Sequence, residues 1–330
     1  MNKIITYAKK TMLAIKNPYG SVVRVFPNAL NAFENSENVL FLGVKDHSSI
    51  PHKLVHLLES NNMILHTIDS CSLGGRAIDY RLFHPIHGGY MTGSSSGTAL
   101  NVFLGINDIG VGTDGGGSVL APALSLNLFG FISPLIEWEY MEGFRKQSTD
   151  GISFVPSIGF ISKDLQLILD AISLTLQTDP KNHNRIDIFE VNKEINYNDR
   201  KTCMNYLQEQ LSKYDVVVEY NRNIDVFGKG DSIYGHYDLI TQEEQKKSNK
   251  GLLRVANMVG ATALAIPSNE LSSGYVLFCK SDLASIRKML SIAPKYCQKE
   301  DEMTKKYFGN IDMYFDEGYF NRQYEMTKEG

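Results

Sequence analysis

The stretch 93-GSSSGTALNVFLGINDIGVGTDGGGSVLAPA-123 carries two Ser/Gly clusters, GSSSG at 93–97 and GTDGGGS at 112–118. Between them Ala99, Leu100, Val102, Phe103 and Leu104, then Ile109 and Val111, read as a short helix followed by a strand. Glycine lets the chain turn tightly, and serine hydroxyls beside such turns can stand next to exposed backbone N–H groups. Ser118, at the end of the second cluster, is the candidate nucleophile.

Working outward, 38-NVLFLGV-44 is a continuous apolar run ending at Lys45 and Asp46, the pattern of a strand buried on both faces. A lysine there sits at a sheet edge, where sites form in open α/β sheets. Pro51 opens a helical stretch, HKLVHLLES, and 63-MILHT-67 reads as the next strand. Strand, helix, strand at this spacing predicts a βαβ unit. Residues 3–16 have the pattern of an amphipathic helix, whereas 71–92 and 133–151 read as irregular. Ser162 is placed to cap a helix over 163–176. Strands are expected at 186–191, 215–220 and 275–278, and helices at 199–214 and 281–290. A helix running into a strand is expected over 252–267, and a polar loop or helix end over 241–251. The expected class is α/β: a mixed β-sheet core covered by helices on both faces, in a single domain spanning 1–330.

Composition narrows the function classes. The 330 residues are 43% hydrophobic and 21% charged, with a formal net charge of −4, as in ordinary soluble domains. That balance argues against a general nucleic-acid binder, which would carry a basic patch. No apolar run reaches 18 residues, and lysines interrupt the N-terminal segment, so neither a membrane span nor an export signal is read. A cytoplasmic setting follows as the expectation. Cys71, Cys203, Cys279 and Cys297 form no zinc-like spacing and read as free buried thiols. His84 and His87 lie three apart without a third ligand, so no metal and no cofactor is expected. The tail pairs Tyr307-Phe308, Tyr314-Phe315 and Tyr319-Phe320 read as docking or core contacts.

The Ser/Gly stretch admits three readings. Gly110-Val111-Gly112-Thr113-Asp114-Gly115 fits the dinucleotide fingerprint, with Glu137 about 20 residues on. Gly116, Gly117 and Pro122 stand where that fingerprint wants a long helix. Gly93–Gly97 fits the nucleophile elbow with Ser95 as nucleophile. The preceding HGGYMT makes a poor buried strand, and the late histidine is His236. The third reading joins Lys45, Ser94 and Ser118, the two serines 24 positions apart.

At these residues the sequence resembles the amidase signature family. GSSSGTA and GTDGGGSVLAPA align without a gap to that family's GGSSGGSA and GTDxGGSIRxPA, and Val44-Lys45-Asp46 matches its strand-end lysine. Asn31-Ala32-Phe33, His84-Pro85, 157-SIGFISKDLQLILDAIS-173 and 257-NMVGATALAIPS-268 resemble further family segments. The resemblance implies an amidase-type hydrolase that cleaves a carboxamide C–N bond through an acyl-enzyme on Ser118. Ser94 would be the proton relay, held by a cis Gly93–Ser94 peptide, and Lys45 the base. Gly115, Gly116 and Gly117 would form the oxyanion hole, with Ser95, Thr113 and Asp114 in support. It implies a small-molecule amide substrate, with no nucleic-acid or membrane partner; a homodimer stays open. Departures are Leu120 for the family's arginine, Ser96 for a glycine, Thr262 for a proline, and a short 49-position segment from Lys45 to Ser94. They leave two alternatives in view: an amide-forming acyl transferase or amidotransferase in a biosynthetic pathway, and a non-catalytic amidase-fold scaffold.

Overall fold

Side chains alternate across each strand of the fold, and that alternation builds two cores, one on either face of a single large sheet. The computed structural model describes residues 3–180, 185–192, 195–299 and 302–315. From the N-terminus come α1 (Lys3–Lys16), β1 (Val22–Val25), β2 (Leu40–Lys45), α2 (His52–Glu59) and β3 (Met63–Asp69). A hairpin of β4 (Ile78–Phe83) and β5 (Tyr90–Thr92) leads to α3 (Ser96–Phe103), β6 (Ile109–Asp114), α4 (Leu120–Ser125), β7 (Phe129–Ser133) and α5 (Trp138–Glu142). The short pair β8 (Lys146–Gln147) and β9 (Ser153–Phe154) precedes β10 (Ser157–Ser162), α6 (Leu165–Leu176), β11 (Ile188–Glu190), α7 (Arg200–Lys213) and β12 (Val216–Asn221). The remainder is α8 (Leu239–Lys246), β13 (Ala261–Pro267), β14 (Gly274–Lys280), α9 (Leu283–Ile292) and α10 (Glu302–Tyr307).

Ten strands join in the order β1-β3-β2-β6-β10-β7-β13-β14-β12-β11. Pairing is parallel for β3–β2, β2–β6 and β11–β12 and antiparallel elsewhere, so the sheet is mixed. Ile132, Ala263, Ala265, Val276, Phe278 and Val217 face one core, with α1, α3, α4 and α7 over them. Leu42, Val44, Ile109, Val111, Phe131, Leu264 and Leu277 face the other, under α2, α6 and α9. The expected α/β class with helices on both faces is what the chain adopts. No helix among the described residues is long and apolar enough to cross a membrane.

The first face has one unusual property where the Ser/Gly stretch lies. In register, Gly43 sits beside Gly110, Gly112 beside Gly159, and Gly130 beside Ala265. This surface has almost no side chains, so α3 and α4 approach the sheet closely. A Cβ added at Gly110 would lie 2.3 Å from Thr98 Cγ2, and one at Gly130 would lie 2.8 Å from Ala123 Cβ.

Several expectations are corrected. Residues 78–92 form a hairpin, because Ile78, Leu82 and Met91 are buried and the glycines fall at its turn. Strands β7 and β10 go unread in the sequence; their glycines weaken the strand pattern but serve the close helix approach. The cap of α6 is Asp164, whose Oδ1 accepts the Gln166 N–H at 2.8 Å, while Ser162 is a strand residue. Residues 239–246 are a helix started by an Asp238–Thr241 capping box, and the helix expected before β13 is a single 3-10 turn, Gly251–Arg254. All four cysteines are free; Cys203 and Cys279 are buried, but Cys71 is intermediate and Cys297 exposed. Phe308, Tyr314 and Phe315 pack on the first core, whereas Tyr319-Phe320 lies outside the described residues.

The glycine surface can be tested directly. Gly110→Ala is expected to lower stability in urea unfolding by about 1–3 kcal/mol, as overpacking does. Thr98→Ser in the same background, which removes the clashing methyl group, should restore part of it. An unchanged midpoint in Gly110→Ala would show that α3 does not need this approach.

Candidate active site

Strand β2 ends at Lys45, and its parallel neighbour β6 sets Val111 beside Val44. Lys45 and the Thr113–Asp114 end of β6 therefore share one carboxyl edge of the sheet. Lys45 is only 3% exposed. Its Nζ is hydrogen-bonded to Ser94 Oγ at 2.7 Å, to Thr113 Oγ1 at 2.9 Å and to the Thr113 carbonyl at 3.4 Å. Burial pulls the Lys45 amine down to about 8; Cys71 opposes that shift, Lys146 reinforces it, and Asp114 opposes it. Near neutrality such an amine is unprotonated in roughly a tenth of molecules, far more than an ordinary lysine.

Ser94 is reached through Gly93, whose φ of +75° belongs to the left-handed region. A Cβ at Gly93 would lie 2.5 Å from Pro122 Cδ, so the position also needs the missing side chain. The described residues contain no cis peptide bond, so the cis Gly93–Ser94 bond that the resemblance implies is not adopted. The positive φ at Gly93 makes the turn with a trans bond. Ser95 then ties the two glycine clusters together: its N–H donates to the Ser118 carbonyl at 3.1 Å and its Oγ to the Thr113 carbonyl at 3.4 Å.

The second cluster folds around Asp114, which is fully buried. Its Oδ1 accepts the Gly117 N–H at 2.7 Å, and its Oδ2 accepts the N–H groups of Val119 at 2.6 Å and Leu120 at 3.3 Å. Burial raises the Asp114 carboxyl above its usual range, and these backbone donors pull against that rise. The consequence for the expected three-glycine oxyanion hole is specific. Gly115 and Gly116 line the cavity, but the Gly117 N–H donates to Asp114. Gly117 has φ +92°, and a Cβ there would lie 2.5 Å from Leu253 Cδ1.

Ser118 is half-buried and lines the same cavity as Lys45 and Ser94, a space of about 290 Å³. The Lys45–Ser94 link is formed. A Ser94–Ser118 hydrogen bond is not among those of the described residues, and such links often tighten only around a bound substrate. Sequence reasoning missed most of the cavity wall. Arg76, Lys146, Thr149, Phe154, Arg200 and Asp231 come from segments read as irregular, from the start of α7, and from the loop before α8. No spacing relates these residues to the Ser/Gly stretch; the fold alone brings them there. His84, singled out with His87, is a hub of backbone contacts. Its ring is hydrogen-bonded through Nε2 to the Ser125 carbonyl at 2.7 Å, and its Nδ1 accepts the Ile86 N–H at 3.2 Å. Among the described residues no group of three His, Cys, Asp or Glu could hold a metal ion.

Residues 84–206 match the family model described as Amidase. A bacterial aryl acylamidase, described as belonging to the amidase signature enzymes, superposes with a TM-score of 0.61 over 96% of this chain and 96% of that one, at 12% identity. This is the amidase signature fold. An amidase family protein from Bacillus anthracis str. Ames gives a TM-score of 0.58 over 91% and 88% of the two chains, at 12% identity. Allophanate hydrolase from Kluyveromyces lactis gives 0.57 over 88% and 70%, at 13% identity. No curated protein matches the sequence. The chain thus shares the fold of these structures, and its likeness to the Amidase family model is confined to residues 84–206.

Its departures from the signature have structural places. Leu120, where the signature has arginine, is fully buried in the first core rather than facing the cavity. Thr262, in place of proline, is hydrogen-bonded to Ser133 Oγ and Ser281 Oγ, both at 2.9 Å. Ser96, in place of glycine, donates to Asp79 Oδ2 at 2.8 Å. Each substituted side chain is satisfied away from the cavity.

Acid stability follows from the buried rings. Burial pushes His84 down to about 3 and His66 down to about 4. Both are neutral when folded, while an unfolded histidine titrates near 6.5. Their contribution is therefore complete above about pH 6.5 and lost as pH falls toward 4 and 3. Unfolding midpoints in urea are expected to fall steadily below pH 6.5, and His84→Gln should flatten that slope. An equal slope in His84→Gln would remove His84 as a cause.

Proposed function

We propose that this chain is an amidase-type hydrolase that opens a carboxamide C–N bond by way of an acyl-enzyme on Ser118. The observation that carries the proposal is the 2.7 Å hydrogen bond between Lys45 Nζ and Ser94 Oγ, on the cavity that Ser118 also lines. The amidase sequence match across residues 84–206 contains both Ser/Gly clusters and supports it.

The chemistry requires a base for a serine, since a hydroxyl is a weak nucleophile. Lys45 in its free-amine form takes a proton from Ser94, Ser94 takes one from Ser118, and Ser118 Oγ attacks the amide carbonyl carbon. The oxyanion is met at the Gly115–Gly116 turn. The C–N bond then breaks as Ser94 returns a proton to the leaving nitrogen. Water attacks the resulting ester, the acid leaves, and Ser118 regains its proton through the same relay. Thr113 orients Lys45 through its 2.9 Å hydrogen bond, and Asp114 holds the turn.

Two measurements test this reading. A fluorophosphonate probe should label Ser118, and Ser118→Ala should abolish both labelling and amide turnover. Lys45→Met and Ser94→Ala should each lower kcat by ~10²–10⁴, the range for a lost proton-transfer group. Labelling of a different serine would end the assignment. The pH profile carries a sign: Lys45 must be unprotonated, so kcat/KM should rise with pH, bend near the value of about 8, and fall about tenfold per pH unit below it. A profile flat from pH 6 to 9 would exclude Lys45 as the base.

A further inference from the structure

One wall of the Ser118 cavity is formed by the β8–β9 hairpin and the start of α7. Its charges are unevenly balanced. Arg76, which also lines the cavity, is paired with Asp231 at 2.7 Å. Arg200 is paired with Asp150, but its Nε is buried without a hydrogen-bond partner. The Lys146 side chain forms no ion pair and no hydrogen bond among the described residues, although the buried Asp114 carboxylate acts on it from further off, and its Nζ lies 5.7 Å from the centre of the Phe154 ring. It is also close to the reacting turn: a Cβ added at Gly115 would come within 3.5 Å of Lys146 Cε. Behind Arg200, in an adjoining recess, Arg254 donates to the Tyr197 carbonyl at 2.7 Å and forms no ion pair among the described residues. The Arg254 backbone carbonyl lies against Gly116. Lys250 in the same recess is neutralised by Asp225 at 2.9 Å.

After pairing, Lys146 in the cavity and Arg254 in the adjoining recess remain without an ion pair beside the Gly115–Gly116 turn, Arg200 keeps an unpartnered buried Nε, and the Asp114 carboxylate that acts on Lys146 is turned to the N–H groups of its own loop. Around these cations stand neutral hydrogen-bonding groups, among them Gln147, Ser148, Thr149 and Ser232. Cations crowded into a partly enclosed cavity without matching carboxylates favour an anion there. A planar carboxylate suits guanidinium and ammonium donors arranged in this way.

We propose that the amide substrate carries a carboxylate, which Lys146 and Arg200 hold in the Ser118 cavity. The proposal deepens the amidase reading and rests on it for the word substrate, but the anion site itself does not depend on turnover. The carboxylate is held at the hairpin wall while the amide carbonyl lies over the Gly115–Gly116 turn. Lys146 is accordingly a specificity residue that touches the substrate away from the reacting bond.

Succinamate and butyramide, matched in length and differing in charge, are the probes. The wild-type protein is expected to favour succinamate by at least about tenfold in kcat/KM. Lys146→Met should shrink that ratio at least tenfold, mainly through a higher KM for succinamate. Lys146→Glu should turn preference away from succinamate. Equal ratios in wild type and Lys146→Met would overturn the proposal. Binding separates it from the amidase reading. Calorimetry with succinamate on the Ser118→Ala protein should show binding that Lys146→Met weakens at least tenfold. Binding that depends on Lys146 without any hydrolysis by the wild type would retain the anion site and remove the amidase activity. Binding indifferent to Lys146 and to Arg200→Gln would remove the anion site even if neutral amides are hydrolysed.

Discussion

The structure depends on how closely two short helices can approach one sheet. Helices α3 and α4 carry the chain into and out of the two Ser/Gly clusters, and they rest on strands stripped of side chains at Gly43, Gly110, Gly112, Gly130 and Gly159. A methyl group at Gly110 would collide with Thr98 of α3 and one at Gly130 with Ala123 of α4, while one at Gly112 would strike Ser95 just before α3. Protein interiors give little room for such an intrusion. The close approach places Ser94 at the carboxyl edge of β2 and β6, within a hydrogen bond of Lys45. A helix riding on ordinary valine or isoleucine side chains would stand several ångströms higher, out of reach of a lysine rooted in the sheet.

Electrostatics completes what packing begins. Lys45 is buried against neutral partners, Ser94 and Thr113, rather than a carboxylate, so desolvation is not cancelled by ion pairing. The buried carboxylate of Asp114, which acts on Lys45, is turned to the backbone of its own loop. Its oxygens take the N–H groups of Gly117, Val119 and Leu120, which fixes a turn that glycine alone would leave loose. One residue therefore keeps negative charge occupied near Lys45 and shapes the turn beside it.

Much of this was legible in the sequence because the relevant signals are local. The apolar run ending at Lys45 reads as a buried strand, and α2 and β3 follow at the spacing of a βαβ unit. The helix and strand between the Ser/Gly clusters are likewise visible in their apolar pattern. What escaped reading has a common physical cause. Strands β7 and β10 contain Gly130, which receives α4, and Gly159, which faces Val119 just before it, and these dilute the strand signal. The trans bond at Gly93 and the engagement of the Gly117 N–H depend on backbone torsions and on a side chain three positions away, which composition does not encode. Lys146 and Arg200 reach the cavity by way of a hairpin and a helix start whose positions are set by tertiary packing.

The glycine surface also orders events in time. Helices α3 and α4 lie at residues 96–125, yet the platform beneath them needs β10, which begins at Ser157, and β13, which begins at Ala261. Local helix formation takes microseconds or less, whereas pairing across such separations must first close long loops. The segment bearing both serines thus emerges during synthesis well before the surface it docks on. A chain released too early would carry Lys45 and both serines without the full surface that holds them together. The geometry of the Ser/Gly stretch is consequently a property of the finished molecule.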